Sequence, residues 1–177
     1  MTDFRSRRMV VKGNEAAVRA FADQQGWPLV DGSDPGELSW RADDGVSLEY
    51  TVDPLSLTPY VVVSGAEQSA VSEVTRVVAD QGPVWTLDEL LVDVSASPGP
   101  AAVARAGVGA PDEYDARFFA CITAAMKDPD TAVREAALYA TAYSAYPQYH
   151  DHLVEVAQTD PDPDRQEDAD LILESFD

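Results

Sequence analysis

The feature that most constrains this chain is a segment that occurs twice near its C-terminus. Asp128-Pro129-Asp130-Thr131-Ala132-Val133-Arg134-Glu135-Ala136-Ala137 recurs, more loosely, as Asp160-Pro161-Asp162-Pro163-Asp164-Arg165-Gln166-Glu167-Asp168-Ala169. A repeat spaced at about 20–50 residues marks a stacked architecture in which each unit buries its apolar face against the next. Such arrays usually present a surface and seldom house chemistry.

The residues around this segment predict helices over about 111–127, 131–146, 149–158 and 165–176. In the first copy Asp130 or Thr131 is placed to cap a helix. Val133 and Ala137, four residues apart, fall on its packing face, and a small side chain at Ala137 permits close helix approach. A weaker echo, Ser97-Pro98-Gly99-Pro100-Ala101-Ala102-Val103-Ala104-Arg105-Ala106, precedes both copies. The second copy departs from the first, with Arg165 where Val133 stood and Gln166 where Arg134 stood. Terminal units of stacked arrays are ordinarily atypical.

The first copy resembles the turn and second-helix start of a HEAT-like repeat, in which an Asp-Pro-Asp turn leads into a Val-Arg-x-x-Ala helix. The resemblance covers only the C-terminal half and implies two to three stacked helix pairs. It also implies that Arg134 ties neighbouring turns together through an acidic group, with Asp128 or Asp160 as partner. In that family the array serves as scaffold or adaptor and occasionally as enzyme.

The first half reads differently. Arg8–Lys12 is a short apolar run of strand character. Asn14 is a helix N-cap, and Glu15–Gln25 follows with Ala17, Val18, Phe21 and Ala22 on one face and Gly26 as terminator. Trp27–Val30 is a further strand candidate, and 31–36 is a turn cluster. Glu37–Arg41 and Val46–Val52 alternate apolar and polar residues about Asp44-Gly45, which predicts a β-hairpin. Tyr60–Ser64 is a β-branched strand, apolar enough for burial on both faces. Ala66–Gln81 is an amphipathic helix closed by Gly82-Pro83. Val84–Leu87 and Leu90–Val94 suit either strand or helix. The small, proline-rich Ser95–Pro100 marks a boundary. The expectation is therefore an α+β fold: residues 1–95 form a sheet with two helices on one face, and 96–177 form the short HEAT-like helical domain.

Charge limits the possible partners. Twelve basic against thirty-two acidic side chains leave −20 at neutral pH, which opposes binding to nucleic acid or to anionic lipid. The same charge permits a basic protein partner. From Asp151 onward Arg165 is the only lysine or arginine, so the end of the chain is either an acidic contact surface or a polar cap on the array. No apolar run approaches the roughly 20 residues of a membrane span. The start of the chain lacks a signal-peptide apolar region, so a cytoplasmic location is expected.

Catalytic motifs are not evident. Phosphate-binding glycine loops and a G-x-S-x-G elbow do not occur. His150 and His152 are two apart, which on a helix directs them to different faces. Asp160-x-Asp162-x-Asp164 lacks the glycine of a calcium loop. Cys121, the single cysteine, sits in an apolar stretch and is expected to be an inert buried thiol. No catalytic residue, metal ligand or cofactor site is assigned.

The candidate partner-binding residues are Tyr139, Tyr143, Tyr146 and Tyr149 with Asp151. The first three fall at i, i+4 and i+7 on one helix, and tyrosine is a favoured interface anchor. Val133, Ala137, Ala140 and Ser144 form a separate small-residue packing face. The expected function is non-catalytic protein binding through an acidic, tyrosine-containing surface, with an immunity or antitoxin-type inhibitor of a basic effector as a narrower form. The alternative is a small-ligand binder or enzyme with its site in a cleft between the two halves.

Overall fold

The computed structural model describes residues 3–30, 37–43 and 45–176. It is an α+β fold with an antiparallel sheet at the N-terminal end and a helical C-terminal part. The chain divides into two compact units, 1–86 and 87–177. The division lies ahead of the proline-rich 95–100 segment, which instead forms the corner between two helices of the second unit.

In the first unit the strands are β1 (Phe4–Arg5), β2 (Met9–Val10), β3 (Leu38–Asp43), β4 (Val46–Val52) and β5 (Pro59–Gly65). β5 is central: β1 and β2 share one of its edges, and β4 then β3 follow on the other. The interruption between β1 and β2 is bridged by Ser6, whose backbone N–H donates to the Val63 carbonyl while its hydroxyl accepts from the Val63 N–H. β1 lies in the charged N-terminal stretch and escapes a reading based on apolar runs. The predicted hairpin is β3–β4, with Trp40 opposite Leu48 and Leu38 opposite Tyr50. Gly45 takes the positive φ of 77° that this turn requires. Asp44 and the 31–36 turn cluster lie outside the described residues. Residues 27–30 form no regular strand, though Val30 N–H donates to the Ser39 carbonyl and Arg41 N–H to Pro28.

Helix α1 (Glu15–Gln25) begins at Asn14, whose side chain accepts from Ala16 N–H, and ends at left-handed Gly26. α1 buries Val18, Phe21 and Ala22; α2 (Gln68–Gln81) buries Val71, Val74 and Val78. These side chains share one core with Trp40, Val46, Leu48, Tyr50, Val61 and Val63. Both helices therefore pack on the same sheet face, because alternate strand positions supply the apolar side chains. Val61, Val62 and Val63 are all buried, as the unbroken apolar run of β5 predicts.

The second unit contains α3 (Leu87–Ala96), α4 (Pro100–Gly109), α5 (Ala116–Ala125), α6 (Thr131–Ser144), α7 (His150–Thr159) and α8 (Pro163–Leu173). Val84–Leu87 resolves into a single bridge, Val84 to Val11, followed by the start of α3. Each of α3–α4, α5–α6 and α7–α8 is a contacting pair; α4 packs on α6, and α6 on α8. Val133, Ala137, Ala140 and Ser144 are buried, so the small-residue face of α6 is its packing face. No helix among the described residues is long and apolar enough to cross a membrane.

The α4–α6 contact is set by Gly107. A Cβ built there would lie 2.4 Å from the Ala140 Cβ and 2.6 Å from its Cα, well inside van der Waals contact. Gly107→Ala gains helix propensity of about 1 kcal/mol but forces two backbones apart. A net loss of about 1–3 kcal/mol is expected, measured as a lower urea midpoint at unchanged slope; a stabilised variant would contradict this packing.

Candidate functional site

The duplicated segment is reproduced in hydrogen bonds as well as in sequence. In the first copy Asp130 N–H donates to Asp128 Oδ1 at 2.8 Å, and Ala132 N–H to Asp130 Oδ1 at 2.9 Å. In the second, Asp162 N–H donates to Asp160 Oδ1 at 2.8 Å, and Asp164 N–H to Asp162 Oδ1 at 3.1 Å. Each corner thus uses one aspartate to fix the turn and the next to cap the helix, α6 or α8, where free N–H groups need acceptors. Between the two aspartates the proline's missing N–H removes a donor that the turn would otherwise have to satisfy.

Arg134 joins the two corners. Its Nε and Nη2 donate to the two carboxylate oxygens of Asp160 at 2.9 and 3.1 Å. Its Nη1 donates to the carbonyls of Asp128 and Pro129, and Nη2 also reaches Thr131 Oγ1. The five N–H groups of a guanidinium are thereby all engaged. The side chains of Arg134 and Asp160 are only 8% and 3% exposed. Of the two acidic partners considered for Arg134, Asp160 supplies its carboxylate and Asp128 its carbonyl. In the second copy Gln166 Nε2 donates to the Asp160 carbonyl at 2.7 Å, repeating the Arg134–Asp128 contact. Glutamine has no charge to pair with a carboxylate as Arg134 does with Asp160.

Burial alone would raise the Asp160 carboxyl, but hydrogen bonds from Arg134 and the Asp162 N–H hold it below the ordinary carboxylate range. Asp168 on α8 goes the other way: burial pushes it up against the pull of Arg165, and Glu135, Asp164 and Glu167 add to the rise. Arg165, in the position of Val133, reaches Glu135 at 2.7 Å and Asp168 at 3.0 Å. Its Nε and Asp168 Oδ2 are nevertheless buried without a well-directed hydrogen bond.

The five candidate partner-binding residues do not form one ridge. Tyr139 and Tyr143 are half-buried on α6, and Tyr139 lies within electrostatic reach of Asp168 and Glu135. Tyr146 and Tyr149 are 2% and 0% exposed and cannot offer their rings to a partner. The reason is local. α6 ends at Ser144, and Ala145 turns the chain at φ 47°, so Tyr146 does not continue the helical face that Tyr139 and Tyr143 share. Tyr149 belongs to a 3-10 turn at Pro147–Tyr149. Asp151 is fully exposed on α7, beside His150.

Tyr146 and Tyr149 instead stack on each other, with centroids 5.4 Å apart, as the floor of an aromatic cluster. The Tyr146 hydroxyl donates to the Pro111 carbonyl at 2.7 Å, and burial pushes its pKa up to about 12. The upper layer is Tyr114, Phe119 and His152. Sequence reasoning missed these three. Tyr114 lies in an irregular segment and His152 on another helix, so no periodicity links them.

The remaining features are structural. His150 and His152 both sit in the first turn of α7: His150 is exposed, and His152 meets Phe119 edge-on. Cys121 is half-buried, donates to the Phe118 carbonyl, and is pushed up to about 11 by burial, so its thiol stays protonated at neutral pH. A groove of about 350 Å³ runs beside the corners, lined by Lys127, Asp128, Arg134, Glu155 and Asp160. Both of its cations are paired, Lys127 with Glu155 at 3.2 Å and Arg134 with Asp160.

Compared with known proteins, the chain matches no family model, no curated protein and no solved structure.

The opposite shifts of Asp160 and Asp168 have opposite consequences. A carboxylate lowered by folding stabilises the fold above its unfolded value near 3.9 and loses that contribution as pH falls through its folded value. A raised one favours the fold when protonated and loses that advantage as pH rises. Asp160→Asn is therefore expected to cost about 3 kcal/mol at pH 7 and less at about pH 3, which lies below the unfolded value. Asp168→Asn is expected to be neutral or stabilising at pH 7. Urea denaturation at the two pH values checks both; equal losses for the two variants at pH 7 would contradict the assignment.

Proposed function

We propose that residues 87–177 are a short HEAT-like array whose role is non-catalytic binding of a basic protein. The Asp-Pro-Asp corners, their matching hydrogen bonds and the succession of helix pairs support the repeat reading. The observation that carries the binding reading is the disposition of charge. Residues 87–177 hold nineteen acidic side chains and five basic ones. Every one of those five is engaged within the unit: Arg105 with Asp93, Arg117 with Asp88 and Asp115, Lys127 with Glu155, Arg134 with Asp160, and Arg165 with Glu135 and Asp168. The array's cations hold its helices and corners in place. Arg117 and Lys127 reach the surface only within ion pairs, and the other exposed charges among the unit's described residues are carboxylates.

A surface of one sign steers partners of the other and raises their association rate. The exposed acids include Asp112, Glu113, Asp151, Asp164, Glu167, Asp170 and Glu174. The acidic character of α8 serves this reading.

The test is affinity capture by the full chain at low and at high salt. Retained proteins are expected to be basic and to elute as ionic strength rises past about 0.15 M, where the screening length falls to about 8 Å. Retention of proteins with no basic bias, or retention indifferent to salt, would overturn the proposal.

A further inference from the structure

Tyr114, Phe119 and His152 form a continuous strip of rings. Tyr114 and Phe119 lie 5.7 Å apart, and Phe119 and His152 5.6 Å. Beneath them, Tyr146 supports Tyr114 edge-on at 5.4 Å, and Tyr149 stacks under Phe119 at 5.2 Å. The floor is buried and the strip is not: Tyr114 is 48% exposed, the His152 side chain is 34% exposed, and Phe119 is half-buried. An aromatic cluster formed only to fill a core would bury Tyr114 as it buries Tyr146 and Tyr149.

Carboxylates stand at both ends. Asp112 and Glu113 immediately precede Tyr114 and are exposed, and neither is engaged in an ion pair among the described residues. Asp151 precedes His152 and is fully exposed, and Glu155 lies 4.0 Å from His152 Nδ1. Arg117 is engaged by Asp115 and Asp88, and Lys127 by Glu155. Ring faces attract cations through their quadrupole, and Asp112 and Glu113, outside any ion pair among the described residues, add to that field.

We infer that the Tyr114–Phe119–His152 strip is the docking point for an arginine of the basic partner, an inference that rests on the acidic-contact reading above and locates it. Arginine fits better than lysine because its planar guanidinium stacks on a ring while its edge donates to a carboxylate. With the guanidinium over the rings, the exposed Asp112 and Glu113 that precede Tyr114 supply carboxylates for its edge. The two buried tyrosines then act as positioning residues that hold the strip in place. This is a different role from the direct contact expected of them in sequence.

The probe is acetyl-Gly-Arg-Gly-Arg-Gly-amide, titrated into the full chain at low salt and followed by NMR. The same peptide with citrulline in place of arginine serves as the neutral control. The largest shifts are expected at Tyr114, Phe119 and His152, with none from the citrulline peptide. Tyr114→Leu keeps apolar bulk but removes the ring; it is expected to weaken binding about 2–5-fold, with Tyr114→Phe restoring it. Circular dichroism confirms that both variants fold. If the arginine peptide binds but its shifts lie elsewhere, or if Tyr114→Leu binds as well as the parent, the strip is not the docking point, while the acidic-contact reading stands. If the peptide binds nowhere at low salt, both fall.

Discussion

The helical unit depends on one buried ion pair. Arg134 lies on α6 and Asp160 at the entrance to α8, and between them sits the boundary of two helix pairs. A buried charge is costly unless every hydrogen-bonding position is met. Here the guanidinium finds five acceptors, and the carboxylate accepts from both Arg134 and the Asp162 N–H. The pair does more than join two groups. It fixes the second corner, which places the Asp162 cap, which in turn starts α8 in the right direction.

This economy of positive charge shapes the exterior. A unit with so few cations, each already engaged with an acid of its own, leaves most of its surface acids without a counter-charge. Packing and electrostatics are thus coupled: the interactions that stack the helices also set the sign of the outer face. The aromatic cluster follows the same division. Tyr146 and Tyr149 are taken into the interior by the turn at Ala145, and Tyr114 is left at the surface beside Asp112 and Glu113.

Much of this was legible in sequence, for definable reasons. The duplicated Asp-Pro-Asp marks corners because aspartate caps and proline restricts, both local effects. α1 was readable end to end from Asn14, its apolar face and Gly26. β5 was readable from three consecutive valines. The aromatic site was not. Helical spacing placed Tyr146 on the α6 face, but the helix ends two residues earlier at a left-handed alanine, a conformation that alanine seldom adopts and that sequence does not announce. Tyr114 and His152 meet through Phe119 only after α5 and α7 are brought together, a tertiary consequence with no periodicity behind it. The division between the units was displaced in sequence for a related reason. Leu87–Ala96 carries an apolar pattern short enough to suit a strand or a helix, and its contacts with α4 and α5 place it in the helical unit.

The most direct measurement is a double-mutant cycle on Arg134 and Asp160. Arg134→Met, Asp160→Ala and the double variant are compared by urea denaturation at pH 7. A coupling energy above about 2 kcal/mol is expected, with the double variant less damaged than the sum of the singles, because each single change strands a buried charge. Additive losses would mean that the two residues act independently and that the corners are not tied through them.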